Sequence, residues 1–134
     1  MASEQSHHEQ AEYNEEAAHS IRDTSPDWAV TMCFYAALHL VEWYAKVQGH
    51  DLEQQYPNYP SPHDRLLAYV FDIARNRQDR DLNKAYQDLK NASQIARYLT
   101  DIKTNSRIHY SRHNPRGVDN CFNNLEIVKQ RLNR

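Results

Sequence analysis

The sequence predicts an all-α protein, an up-and-down four-helix bundle with an additional N-terminal helix, and three observations carry that expectation. Only two glycines occur in 134 residues, while alanines and charged residues are abundant, a balance that favours helix over sheet. Apolar residues recur at helical spacing in several separate stretches. One stretch, Pro26 to Gly49 (PDWAVTMCFYAALHLVEWYAKVQG), is apolar or small at nearly every position and is long enough for about six turns. A helix apolar on so many sides must be surrounded, so it is expected at the centre of the bundle.

Taken in order, residues 1–8 read as a frayed terminus with His7 and His8 exposed to solvent. From Glu9 to Arg22 a modest helix is expected, with Tyr13, Ala17 and Ile21 as its apolar face. Glu12, Glu15 and Glu16 lie towards its start, as the helix dipole prefers. The central helix has Thr24 or Ser25 as N-cap, Pro26 in its first turn, Asp27 at the positive end and Gly49 as its stop. Residues 50–61 (HDLEQQYPNYPS) form a loop. Ser61-Pro62-His63-Asp64 opens the next helix, with Ser61 as N-cap and Asp64 three residues on. Leu66, Leu67, Val70, Phe71 and Ala74 face inward through about Arg77. A further helix spans residues 80–99, with Leu82, Ala85, Tyr86, Leu89, Ala92, Ser93 and Ala96 inside and Arg97 at the edge of the stripe. Residues 100–116 (TDIKTNSRIHYSRHNPR) show little periodicity. The last helix, Val118 to Leu132, packs Val118, Phe122, Leu125, Val128 and Leu132. The whole of 1–134 is read as one domain.

The net charge of −2 hides an asymmetry. Residues 1–23 hold six acids and one base, residues 24–74 six acids and two bases, and residues 75–134 thirteen bases and six acids. The basic half can receive a polyanion or complement the acidic N-terminal helix within the fold. No apolar run reaches the eighteen or so uncharged residues that a membrane span needs. The start of the chain is acidic and polar, unlike a signal peptide. Cys33 and Cys121 fall on apolar helix faces and read as buried thiols, the alternative being a structural pair. A soluble, cytoplasmic protein without membrane contact is expected.

Two constellations carry chemistry. At about 100° per residue, Thr31, Tyr35, His39, Glu42 and Lys46 share one narrow stripe of the central helix. A Tyr–His–Glu set can orient an imidazole for proton transfer. The same stripe also suits an exposed strip, or a buried hydrogen-bonded network lining a dimer seam. The second constellation is residues 103–116, where Lys103, Arg107, Arg112 and Arg116 accompany His109, His113 and Tyr110. Cations neutralise phosphates and an interleaved aromatic can stack a base, so RNA contact is one reading. A solvated basic loop paired with residues 1–23 is the other. Within it, Arg107 and His113 suit phosphodiester chemistry, the guanidinium holding phosphate and the imidazole moving the proton. His63 and Arg65, at a helix N-terminus, offer a third reading as a phosphate grip. No CxxC, HExxH, EF-hand or glycine-rich phosphate loop is present, so neither metal nor cofactor is expected.

FYAALHLVEWYA, then Gly-His, then SPHDR, then AYQDLKNASQIARYL resembles the HEPN superfamily of small helical bundles over roughly residues 26–99. The positions that carry it are Phe34, Tyr35, Ala36, His39, His63, Arg65, Tyr86, Leu89 and Arg97-Tyr98. The resemblance implies a four- or five-helix bundle that forms a homodimer. Many relatives are metal-independent endoribonucleases, found as toxins, in defence systems or beside nucleotidyltransferase partners; others are non-catalytic interaction modules that bind a protein partner such as an antitoxin. The ribonuclease members carry, late in the chain, an arginine followed after four to six intervening residues by a histidine, which Arg107 and His113 match with five between them. Ile108 stands where active members commonly have a polar residue.

Overall fold

The computed structural model describes residues 2–133, and among them the chain is helical with no strand. Helix α1 is Glu4–Ile21, α2 Pro26–Val47, α3 Leu52–Gln55, α4 Pro62–Arg77, α5 Arg80–Tyr98, α6 Ser106–Ile108 and α7 Pro115–Leu132. Between α6 and α7, His109–His113 form a π-helical turn.

The N-terminus corrects the expectation of fraying. The Ser3 side chain accepts from the Ser6 amide at 3.1 Å and starts α1 at Glu4. Its inner face is His7, Ala11 and Ala18, and Tyr13, expected inside, is 61% exposed. Small residues let α1 lie close against α2, and a tyrosine on that line would hold the helices apart.

Helix α2 is the element that the others surround: α1, α4, α5 and α7 all pack on it, and α5 in turn meets α4 and α7. Val30, Cys33, Phe34, Ala37 and Val41 are essentially inaccessible along its length. Ser25 stands as N-cap by position, but its side chain makes no capping bond. The other end is a Schellman motif. The His50 amide donates to Ala45 O at 2.9 Å and the Gly49 amide to Lys46 O at 3.0 Å, with Gly49 at φ 73°, where lacking a Cβ removes the steric cost.

Helix α4 starts as its capping sequence predicts, the Ser61 hydroxyl accepting from the Asp64 amide at 3.1 Å. Asp79 does the same for Leu82 in α5 at 3.1 Å. Helix α7 begins three residues before the expected Val118, because Asn114 caps the Gly117 amide at 3.1 Å and Pro115 occupies the first helical position. Phe71, expected inward, is 48% exposed, with the Arg75 guanidinium 5.9 Å from its ring centroid.

Cys33 and Cys121 are buried and unbonded. Burial pushes both thiols up, Cys121 to about 12, so neither is a nucleophile near neutral pH.

Leu89 on α5 is fully buried. Leu89→Ala is expected to cost about 2–5 kcal/mol of stability, read as a lower urea midpoint with an unchanged m-value.

Candidate functional site

The polar stripe of α2 divides into two clusters. In the first, Arg97 of α5 reaches Tyr35: its Nη1 donates to the tyrosine hydroxyl at 2.9 Å. Nε donates to the Ser93 carbonyl at 3.3 Å, and Nη2 to the Ser93 hydroxyl at 3.3 Å. The guanidinium carbon lies 5.5 Å from the Tyr35 ring centroid and 4.9 Å from that of Tyr98, both within cation–π range. The His63 ring, from the first turn of α4, meets Tyr35 edge-on at 6.2 Å and Phe34 at 6.0 Å. Burial, with help from Arg97 and Lys90, holds the His63 imidazole below its ordinary range against an opposing pull from Asp64. Three helices thus converge on Tyr35, His63 and Arg97. Arg65 is elsewhere, its Nη1 donating to the Tyr59 carbonyl at 3.3 Å.

In the second cluster His39 and Glu42 meet His7 of α1, a residue expected to be solvent-exposed. His7 Nε2 lies 3.1 Å from Glu42 Oε2 and His7 Nδ1 lies 3.0 Å from His39 Nδ1. One tautomer pattern satisfies both: His39 Nδ1–H donates to His7 Nδ1, and His7 Nε2–H donates to the carboxylate. Burial holds both imidazoles below their usual range, assisted by Lys46 at His7 and by His7 at His39. Burial raises the Glu42 carboxyl, opposed by Lys46. His7, Glu42 and Lys46 line an open pocket of about 560 Å³ that also receives Glu4, His50 and Arg65.

The segment 100–116 has more structure than its sequence suggested. Asn105 caps the Ile108 amide at 2.9 Å, and Ser106 Oγ donates to Asp27 at the start of α2 at 2.9 Å. Tyr110, expected to stack a base, is 2% exposed and donates its hydroxyl to Ala92 O at 2.9 Å. Its ring is therefore core. Lys103, Arg107, Arg112, His113 and Arg116 are exposed, and none takes part in an ion pair among the described residues. The acids of α1 do not reach these cations: Glu15 pairs with Lys129 at 3.0 Å, and just past the helix Arg22 pairs with Asp119 of α7. No hydrogen bond joins Arg107 to His113. Burial, assisted by His113, holds the His109 imidazole below its ordinary range.

No protein-family model matches the chain, and neither a curated protein nor a solved structure matches it.

Tyr35→Phe is expected to lower stability by about 1 kcal/mol through the lost Arg97 bond, read by urea unfolding. Because the folded His63 pKa is lowered, the unfolded chain takes up that proton first on acidification. Stability is then lost as pH falls from the ordinary histidine value towards the lowered one. His63→Gln is expected to flatten this part of the profile, which lies below the ordinary histidine value of about 6.5.

Proposed function

We propose that this chain is a HEPN-like helical protein, with α2, α4, α5 and α7 as an up-and-down bundle and α1 as the additional helix, and that it contacts RNA through residues 103–116. The observation that carries the reading is the set of exposed cations Lys103, Arg107, Arg112 and Arg116, free of ion pairs with the acidic helix or any other element among the described residues. Unpaired cations along one short segment neutralise successive phosphates without first breaking an internal ion pair. Helix α5 leads into the segment with Tyr98 exposed, and Tyr98 takes over the stacking role first given to Tyr110.

The chemistry proposed with this contact is metal-independent cleavage by a homodimer, as the family resemblance implies. His113 takes the proton of a ribose 2′-OH, whose oxygen then bonds to phosphorus while the bond to the 5′-oxygen breaks. That oxygen leaves with a proton from the second copy's His113, and Arg107 holds the phosphate as its charge grows. The protein belongs, on this reading, to a cytoplasmic toxin–antitoxin or defence system. A second reading, a non-catalytic module binding an antitoxin or a nucleotidyltransferase-type partner, is favoured by Trp28 and Phe71, large apolar side chains left at the surface.

Single-stranded RNA binding is expected to weaken with salt at a log–log slope of about −3, four contacts at roughly 0.7 each, and to lose about 0.7 of slope for each cation replaced by alanine. Cleavage of mixed-sequence RNA in EDTA is expected from the wild type and to be lost in Arg107→Ala and in His113→Ala with circular dichroism unchanged. A wild type that neither binds nor cleaves RNA at low salt transfers the conclusion to the partner-binding module.

A further inference from the structure

We propose that His7, His39 and Glu42 form a binding site for a divalent transition-metal ion, with zinc the best fit, that fastens α1 to α2. One nitrogen from each ring and one carboxylate oxygen lie within 4.8 Å of one another. That set of two imidazoles and a carboxylate is a common three-residue arrangement for zinc, which leaves a fourth position for water or a ligand. The spacing suits it. The two Nδ1 atoms stand 3.0 Å apart, and two nitrogens bound to one zinc at about 2.0–2.1 Å lie roughly 3.3 Å apart in a tetrahedron. The two nitrogens need a shift of a few tenths of an ångström, and the Glu42 carboxylate, which stands 3.1 Å from Nε2 of His7, must swing round to the Nδ1 side of that ring. His39 moves its proton from Nδ1 to Nε2, and the metal occupies the place of the shared hydrogen bond.

The donors sit on two regular helices, so binding need not organise a flexible loop. His39 and Glu42 are three residues apart on α2, one face of a regular helix, and the cap at Ser3 begins the helix that carries His7. His7 and Glu42 also line the pocket, so the open coordination position faces accessible space. Imidazole and carboxylate together favour zinc, cobalt, nickel or copper over magnesium and calcium, which prefer all-oxygen sites. Two charges modulate the site: Lys46, one turn beyond Glu42, opposes a cation, while Glu4 on the pocket wall favours one. The inference is independent of RNA contact, which involves a different segment.

The test is titration of EDTA-stripped, desalted full chain with zinc chloride by calorimetry, together with cobalt(II) absorption and thermal unfolding. Expected are one zinc per chain, the visible spectrum of tetrahedral cobalt and a raised Tm. Glu42→Gln, nearly isosteric, and His39→Gln are each expected to weaken binding at least about tenfold and to abolish the cobalt spectrum, with circular dichroism unchanged. His19→Gln, on the same helix, is expected to bind as wild type does. Absence of saturable zinc binding overturns the proposal, as does binding that Glu42→Gln and His39→Gln leave intact. An octahedral cobalt spectrum in the wild type overturns the three-residue tetrahedral site.

Discussion

The structure depends on keeping α2 out of water. A helix with inaccessible side chains on several sides has no stable exposed state, and covering it takes α1, α4, α5 and α7 together. At roughly 25 cal/mol per Å² of apolar surface, burying Phe34, Leu38, Leu40 and Val41 supplies several kcal/mol. Of the packing helices, α1 alone brings no long apolar side chain into the core. Alanines on α1 and α2 instead permit close approach, and larger residues on α5 and α7 fill the space behind.

Polar residues on a surrounded helix must find partners, and Tyr35, His39 and Glu42 do so in ways that fix a neighbouring helix. Thr31 returns its hydroxyl to the Asp27 carbonyl at 3.1 Å. Tyr35 accepts from Arg97 and registers α5. His39 and Glu42 share His7 and register α1. Among the described residues no buried side-chain nitrogen or oxygen is left without a partner. Unsatisfied, such groups would each cost about 1–3 kcal/mol, so the stripe selects one arrangement of the surrounding helices as well as tolerating burial.

Much of this was legible in the sequence, and the failures share a cause. Helix α4 could be read to its ends because Ser61-Pro62 and the apolar spacing after it are local signals. The stripe on α2 was equally plain as a periodicity. Its division into two clusters was not, because that depends on residues 62 and 32 positions away in the chain. His7 looked peripheral for the same reason: nothing near it in sequence reveals that α2 waits across from it. Tyr110 misled through its neighbours, since six basic or histidine side chains around it suggested solvent while a single long-range bond to Ala92 takes it inside. The start of α7 was available in Asn114-Pro115, an N-cap and first-position pair hidden within a stretch whose charges drew attention away from its turn chemistry.

The anchoring of residues 105–114 also bears on thermodynamics. Ser106 is tied to α2, Tyr110 to α5 and Asn114 to the first turn of α7, so the backbone between them is pinned at three points and its cations ride on a fixed frame. A flexible arm of similar charge would surrender about 1–2 kcal/mol of backbone entropy per residue on capturing a ligand. Here that cost has been met in folding. The cations of this surface therefore extend from a backbone whose spacing is already set before any ligand arrives.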